Sequence, residues 1–220
     1  MAEQQTFLFA DLAGFTALTE AHGDDEAADL VTGFTAAVRE LLPKYDAEEV
    51  KTIGDAVMIR CRRADAAVQL GLRIVEEIGR RDRFPSIRVG MHSGPAAERG
   101  GDFFGATVNL AARVAGVAPG GQFLLTEATW KVAGASAGIT IVELGRESLR
   151  NVADPVLLLR ARGSEPEDDG ELPIDPVCRM AVEPVSSAGV LHNGGADYHF
   201  CSIECVRAFA ADPDRYLSVR

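Results

Sequence analysis

Apolar and polar positions along residues 1–162 follow two patterns, one typical of strands and one typical of helices. Thr6–Ala10 is a short apolar run that predicts a buried strand. Apolar residues at helical spacing between Ala27 and Leu41, and again between Ala67 and Ile78, predict two amphipathic helices. Further strands are predicted at 48–53, 56–61, 87–91, 123–126, 139–144 and 155–159, and a short helix at 108–116. Helices interspersed with strands indicate an α/β fold of the α+β kind, in which helices cover one face of a mixed sheet.

The pattern breaks once, in an acidic stretch. Residues 164–173 contain five acidic residues, two prolines and almost nothing apolar, so they cannot bury enough surface to offset their ordering entropy. We interpret 163–173 as a linker between a domain at 1–162 and a small α/β module at 174–220. A module of that size is close to the lower limit for a stable hydrophobic core, so we expect it to need a cross-link such as a disulfide or a bound metal ion.

The charge balance disfavours several classes of partner. A formal net charge of −11 argues against binding to nucleic acids or to anionic membrane surfaces, because both need a basic protein surface. The sequence has no apolar run of about 18 residues that could span a membrane, and its first residues do not resemble a secretory signal. We therefore expect a cytoplasmic protein. Thiols stay reduced there, so the cluster of Cys178, Cys201 and Cys205 indicates metal binding rather than disulfides.

Two carboxylates are placed where phosphate chemistry could use them. Asp11 ends a predicted strand and precedes a glycine-containing turn into a helix, and Asp55 lies at the tip of the hairpin 48–61. If the two strands are neighbours, both carboxylates reach one edge of the sheet and can hold divalent cations for two-metal catalysis at phosphorus. The alternative is that Asp11 only starts a helix and Asp55 only serves the turn.

Asn109 and Arg113 lie four residues apart on the predicted helix and therefore share one of its faces. A guanidinium and an amide on one face suit a phosphoryl group whose oxygens gain charge during a reaction. The alternative is a solvated helix face.

Three segments, 9–16, 49–58 and 102–113, together resemble the catalytic domain of class III adenylate and guanylate cyclases. The resemblance covers about residues 5–162 and implies a ferredoxin-like, palm-type sheet. It also implies two Mg²⁺ or Mn²⁺ ions per active site, held by Asp11, Asp55 and the backbone carbonyl of Leu12. Residues implied to contact the substrate phosphates are Phe15, Thr16 and Arg88, with Arg150 where many members carry a phosphate-binding lysine.

The resemblance also assigns a base-reading pair and a catalytic pair. Lys51 matches the lysine that selects adenine, Asp102 matches its partner, and Asn109 and Arg113 match the residues that position the ribose and stabilise the transition state. Adenine offers N1 as an acceptor and N6 as a donor, which complement a lysine and an ionised aspartate. Guanine reverses this pattern, so the expected substrate is ATP.

The implied reaction is in-line attack of the ribose 3′-oxygen on the α-phosphorus of ATP, with diphosphate leaving. In this family each site lies across a head-to-tail homodimer, with the metal aspartates from one protomer and the purine and transition-state residues from the other. This chain carries both sets, so two competent sites are expected per dimer.

The C-terminal residues 174–217 resemble the YHS family of small metal-associated modules. Cys178, Cys201 and Cys205 correspond to its cysteine positions, and thiolates select Zn²⁺ or Cu(I). A fourth zinc ligand is left open among Asp175, His192 and His199.

Four other functions are alternatives to an adenylate cyclase. A guanylate cyclase is disfavoured by Lys51 and Asp102. A catalytically silent nucleotide- or metal-binding regulator, and a metal-handling protein for which the large domain is only a scaffold, remain as alternatives. A diguanylate cyclase is suggested by Gly100–Phe104, but that signature is expected at a hairpin tip, whereas here it is expected to lead into a helix.

Overall fold

A computed structural model describes residues 4–134, 138–164 and 172–217. Most of the predicted acidic linker, residues 165–171, lies outside the described residues. The strands are β1 (Gln4–Leu12), β2 (Ala47–Ile53), β3 (Ala56–Cys61), β4 (Ile87–Pro95), β5 (Ala97–Arg99), β6 (Asp102–Phe104), β7 (Phe123–Thr126), β8 (Ile139–Glu147), β9 (Val156–Gly163), β10 (Gly189–Asn193) and β11 (Ala196–Phe200). The helices are α1 (Phe15–His22), α2 (Asp24–Leu41), α3 (Ala64–Arg73), α4 (Ala106–Val117), α5 (Glu127–Ala133), α6 (Ile203–Ala211) and α7 (Pro213–Leu217).

Seven strands form one mixed sheet in the order β2-β3-β1-β4-β7-β9-β8. The neighbours β2-β3-β1-β4 are all antiparallel, which is the strand order of a ferredoxin-like unit, and β7 then adds parallel to β4. The predicted mixed α/β fold is therefore confirmed. The sequence pattern located the seven strands of this sheet and the helices α2, α3 and α4, but it did not predict β5, β6 or α5.

The alternation of side chains along β1 shows how helices cover the sheet. Leu8, Ala10 and Leu12 face a core formed with α2 and α3, whereas Phe7 and Phe9 face a second core formed with α4. The expectation of helices on one face therefore needs correction, because α4 packs on the opposite face. The side chains of Asp11 and Arg88 share the α4 face by the same two-residue alternation.

The expected position of the Gly100–Gly101 dipeptide also needs correction. It forms the turn between β5 and β6, which pair as a separate two-stranded ribbon, and the chain then enters α4. The signature therefore lies in a hairpin, so the expectation that it only leads into a helix is wrong and gives no argument against a diguanylate cyclase. The ribbon is separate from the main sheet of the described residues.

Residues 174–217 pack directly against the larger domain. Pro85 pairs with Met180 as a β-bridge, and backbone hydrogen bonds join Arg83 to Ala181 and Ser86 to Arg179, each at 2.9 Å. A shared apolar core joins α1 and α2 to this module, and its buried members are Leu18, Ala27, Val177, Cys178, Met180, Val182, Phe200, Cys201, Cys205 and Phe209. None of the described helices is long and apolar enough to cross a membrane.

The approach of α4 to the sheet depends on Gly90 in β4. A Cβ atom added there would lie 1.9 Å from the backbone nitrogen of Ala115, a distance that only a shift of the whole helix could relieve. Because α4 carries Asn109 and Arg113, this contact also sets where those two side chains stand above the sheet.

We expect Gly90→Ala to lower the free energy of unfolding by about 3 kcal/mol, because the added methyl group overpacks the α4–β4 contact. Gly33→Ala is the matched control: Gly33 is helical, and no described atom lies within 4 Å of its Cβ position. That change should raise stability by about 0.5–1 kcal/mol. Urea unfolding of both variants measures the difference, and equal stabilities would contradict the proposed close contact.

Candidate functional site

Asp11 lies at the end of β1, directly between the two strands that flank it. Its cross-strand neighbours are Ala56 of β3 and Arg88 of β4. The Arg88 guanidinium donates two hydrogen bonds to Asp11 Oδ2, one from Nε at 2.8 Å and one from Nη2. Opposite charges that face each other across an antiparallel pair stabilise the sheet locally, and here they also hold the Asp11 carboxylate in one orientation.

Asp55 lies at the tip of the β2–β3 hairpin, next to Ala56 and therefore next to Asp11. Burial, followed by a hydrogen bond and charge repulsion from Asp11, raises the pKa of Asp55 to about 6, while the Arg88 charge opposes the rise. The predicted meeting of these two carboxylates at one edge of the sheet is therefore observed. Their oxygens are the donors that Mg²⁺ and Mn²⁺ prefer, and their mutual repulsion is the kind that a divalent cation relieves.

The chain leaves β1 through a turn that places Phe15 and Thr16 at the start of α1. Gly14 adopts a left-handed conformation with φ 74°, and the Ala13 N–H donates to the Ser86 carbonyl at 2.8 Å. Thr16 is exposed, whereas Phe15 is half-buried between the cores of the large domain and the module. Leu12, whose carbonyl was expected to contact a metal, is the buried last residue of β1.

Lys51 reaches Asp102 because β2 contains a bulge. The register shifts between Glu49 and Lys51, so that Lys51 is paired with Met58 on the α4 face of the sheet. Without the extra residue it would pair with Val57 and face the other core. Lys51 Nζ donates to Asp102 Oδ2 at 2.6 Å, and this hydrogen bond lowers the pKa of Asp102, which keeps the carboxylate ionised.

Asn109 and Arg113 are both exposed on α4, whereas Val108, Ala111 and Ala115 of the same helix are buried against the sheet. The amide and the guanidinium therefore lie on the face of α4 that is turned away from the sheet. Arg150 is exposed in the turn between β8 and β9, and β9 lies three strands from β1 in the sheet. The fold of one protomer thus joins Asp11, Asp55 and Arg88 in one group and Lys51 and Asp102 in another.

The three module thiols come together as predicted. Cys178 Sγ lies 3.3 Å from Cys201 Sγ, and Cys201 Sγ lies 3.8 Å from Cys205 Sγ. The fourth donor is His22 of α1, whose Nε2 lies 3.4 Å from Cys201 Sγ and 3.7 Å from Cys205 Sγ. The four donor atoms all lie within 4.8 Å of one another. Sequence reasoning missed His22, which is separated from Cys178 by the whole large domain and has no ligand spacing to mark it.

None of the three expected fourth ligands belongs to this four-residue group. The Asp175 carboxylate is buried and accepts backbone N–H groups of Val177 at 2.8 Å and of Cys201 at 2.9 Å. His192 is exposed and contacts Asp197, and His199 is half-buried with no described hydrogen-bond partner for its Nδ1.

Comparisons with known families match both parts of the chain. Residues 1–157 match the adenylate and guanylate cyclase catalytic domain, and residues 174–220 match the YHS domain. An adenylate cyclase of Streptomyces griseus is 35% identical over 179 residues, which cover 80% of this chain and 44% of the relative. A pH-sensitive adenylate cyclase of Mycobacterium tuberculosis is 36% identical over 166 residues, covering 73% of this chain and 41% of the relative. The chain thus spans less than half the length of these curated relatives.

Solved structures agree with the fold. A structure of adenylate cyclases from Trypanosoma brucei in their monomeric state superposes with a TM-score of 0.68 at 27% identity, covering 82% of this chain and 94% of that one. The catalytic core of a rhodopsin-guanylyl cyclase with converted specificity, in complex with ATPαS, superposes with a TM-score of 0.67 at 21% identity, covering 74% and 96%. The second likeness concerns the fold alone. The family match over residues 1–157 shows that this chain belongs to the adenylate and guanylate cyclase catalytic domain family.

Proposed function

We propose that the chain is an adenylate cyclase that converts ATP to 3′,5′-cyclic AMP and diphosphate. The observation that carries this proposal is the Lys51–Asp102 ion pair, which presents a donor and an ionised acceptor on the face of the sheet that also carries Asp11. Lys51 would donate to adenine N1, and Asp102 would accept from N6. The adenylate cyclase names of the curated relatives support the same substrate.

Asp11, Asp55 and the Leu12 carbonyl are the residues proposed to hold two Mg²⁺ or Mn²⁺ ions. When bound, these ions would lower the pKa of the ribose 3′-hydroxyl and neutralise the triphosphate. Arg88 keeps Asp11 in place and brings a positive charge to the same edge for the phosphates. Phe15 and Thr16 present the start of α1 to the triphosphate, where helix N–H groups favour anions. Arg150 is proposed as a further phosphate contact.

Asn109 and Arg113 are proposed to act on a neighbouring protomer. Asn109 would orient the ribose, and Arg113 would support the charge that grows on the α-phosphate. Both are exposed, and the described surface of the same domain also exposes the large apolar side chains of Ile53 and Phe104, at 51% and 50%. Exposed apolar side chains together with outward-facing catalytic groups favour a head-to-tail homodimer in which each site uses both subunits.

Mixing two inactive variants tests this shared site. Asp55→Asn and Arg113→Ala should each lower kcat by at least about 100-fold, because each removes charge stabilisation from every site. In an equimolar mixture, half of the dimers are mixed, and each mixed dimer has one intact site of two. We therefore expect about one quarter of wild-type activity.

The control for this experiment is a mixture of Asp55→Asn with Asp11→Asn, which places both changes in the same half of the site and should restore nothing. Absence of recovery in the Asp55→Asn and Arg113→Ala mixture, with dimers present by ultracentrifugation, would contradict sites shared between subunits. Absence of any cyclic nucleotide from the wild-type protein with ATP or GTP would favour a silent regulator or a scaffold.

The base assignment is tested by the double variant Lys51→Glu/Asp102→Asn. A glutamate accepts from guanine N1 and an asparagine amide donates to O6, so the ratio of kcat/KM for ATP over GTP should fall by about 10- to 100-fold. Lys44→Glu, at an exposed lysine of the segment after α2, makes the same lysine-to-glutamate exchange elsewhere and should keep the ATP preference. An unchanged ratio in the double variant would refute base reading by Lys51 and Asp102, and greater wild-type activity with GTP would favour a guanylate cyclase.

The proposed organisation is a catalytic domain at 1–162, an acidic linker at 163–173 and a metal-associated module at 174–220. The module is proposed to bind Zn²⁺ or Cu(I) through the buried residues Cys178, Cys201 and Cys205. The sulfurs of Cys178 and Cys205 both lie within 4 Å of the sulfur of Cys201. A cytoplasmic location, with reduced thiols, is part of the same proposal.

A further inference from the structure

The thiol cluster is not contained within the C-terminal module. Three of its donors come from the module, but the fourth, His22, is the last residue of α1 in the catalytic domain. The His22 side chain is only 8% exposed, so its imidazole is enclosed at the contact between the two parts of the chain. The position of His22 does not depend on whether ATP binds at the other end of the helix.

The distances between donor atoms fit a tetrahedral metal ion. Zinc bonds of about 2.3 Å to sulfur and about 2.0–2.1 Å to nitrogen give tetrahedral edges of about 3.8 Å between sulfurs and about 3.6 Å between sulfur and nitrogen. Two of the three sulfur–sulfur edges here are 3.3 and 3.8 Å, two of the three sulfur–nitrogen edges are 3.4 and 3.7 Å, and all four donor atoms lie within 4.8 Å of one another. Three cysteines and one histidine are also a common donor set for a closed zinc site.

The second nitrogen of His22 is oriented as in a metal ligand. Its Nδ1 lies 3.3 Å from the Glu26 carboxylate, one turn further along the chain in α2. In the tautomer that carries its proton on Nδ1, facing that carboxylate, the lone pair is on Nε2, which faces the sulfurs of Cys201 and Cys205. Such carboxylate–histidine pairs fix the ring and increase its basicity in metal sites.

Asp175 has a different structural task. Both of its carboxylate oxygens accept backbone N–H groups, and one of these belongs to the ligand-bearing residue Cys201. Asp175 therefore joins the segment that carries Cys178 to the segment that carries Cys201. This role leaves the fourth ligand position of the cluster to His22.

We propose that His22 completes a tetrahedral Cys₃His site for a thiophilic ion, Zn²⁺ or Cu(I), and that the bound ion fastens the module to α1. The same helix starts at the Gly14 turn, where the module makes a second contact: a Cβ at Gly14 would lie 2.8 Å from Cγ of Arg179. The module thus holds both ends of the eight-residue helix that presents Phe15 and Thr16. Metal occupancy sets how firmly this helix is held.

Metal titration of three full-length variants tests the fourth ligand. His22→Gln should weaken Zn²⁺ binding by at least about 100-fold in a competition with a chromophoric chelator, because one ligand is lost. His22→Cys supplies a thiolate at the same position and should restore tight binding. With Co²⁺ as a spectroscopic probe, it should increase the sulfur charge-transfer absorption relative to wild type. His192→Gln, at the exposed module histidine, should bind like wild type.

The same titration with Cu(I) under reducing conditions shows which of the two ions uses His22, since only an ion that His22 ligates is bound more weakly by His22→Gln. Full wild-type affinity of His22→Gln for both ions would overturn the proposal. So would an unchanged Co²⁺ spectrum in His22→Cys.

Hydrogen exchange tests the fastening of the module. Adding Zn²⁺ to the wild-type chain should slow amide exchange in α1, residues 15–22, as well as in the cysteine loops. In His22→Gln at saturating Zn²⁺, slowing should be confined to the module. Metal-dependent protection of the module without protection of α1 in the wild-type chain would overturn the proposed connection, whatever the outcome of the cyclase assays.

Discussion

Two like-charged carboxylates held together at the end of β1 are the constraint around which the catalytic domain is arranged. Burial, together with a hydrogen bond and charge repulsion from Asp11, raises the pKa of Asp55 to about 6. The two carboxylates are kept adjacent because β1 pairs with β3 on one side and with β4 on the other. The β4 partner is Arg88, whose guanidinium offsets part of the repulsion. A polar cluster of this kind is costly for folding, and clusters with shifted pKa values are concentrated at functional sites.

Sequence pattern predicts this part of the molecule well because its causes are local. Strand runs and the Gly54–Asp55 turn fix the hairpin, and once β1 is beside it the two aspartates meet without any further information. The four-residue spacing of Asn109 and Arg113 likewise fixes their common face. Hydrophobic periodicity does not show on which face of the sheet a helix packs. The position of α4 on the opposite face depends on Gly90 admitting the Ala115 backbone, which is a tertiary fit.

Two features of the sites could not be predicted because they depend on register and on docking. The bulge in β2 turns Lys51 to the face that holds Asp102, and a regular strand with the same sequence would turn it away. His22 meets the module cysteines only because the module packs on α1 and α2 through a shared apolar core. An acidic stretch that is poor in apolar residues predicts a linker but not how the module lies against the large domain, and the described contacts between the two parts are extensive.

The shared core places α1 between the proposed catalytic site and the cysteine cluster. Its first residue, Phe15, packs against both the sheet core and the module core, and its last residue, His22, faces the thiols. A helix of eight residues is too short to be stable by itself, so its orientation depends on what holds its ends. One end follows Asp11, a proposed metal ligand, through the Gly14 turn, and the other ends at the cysteine cluster. A metal ion bound at that cluster would therefore act on an element whose other end borders the proposed phosphate site, without any need for a longer route through the protein.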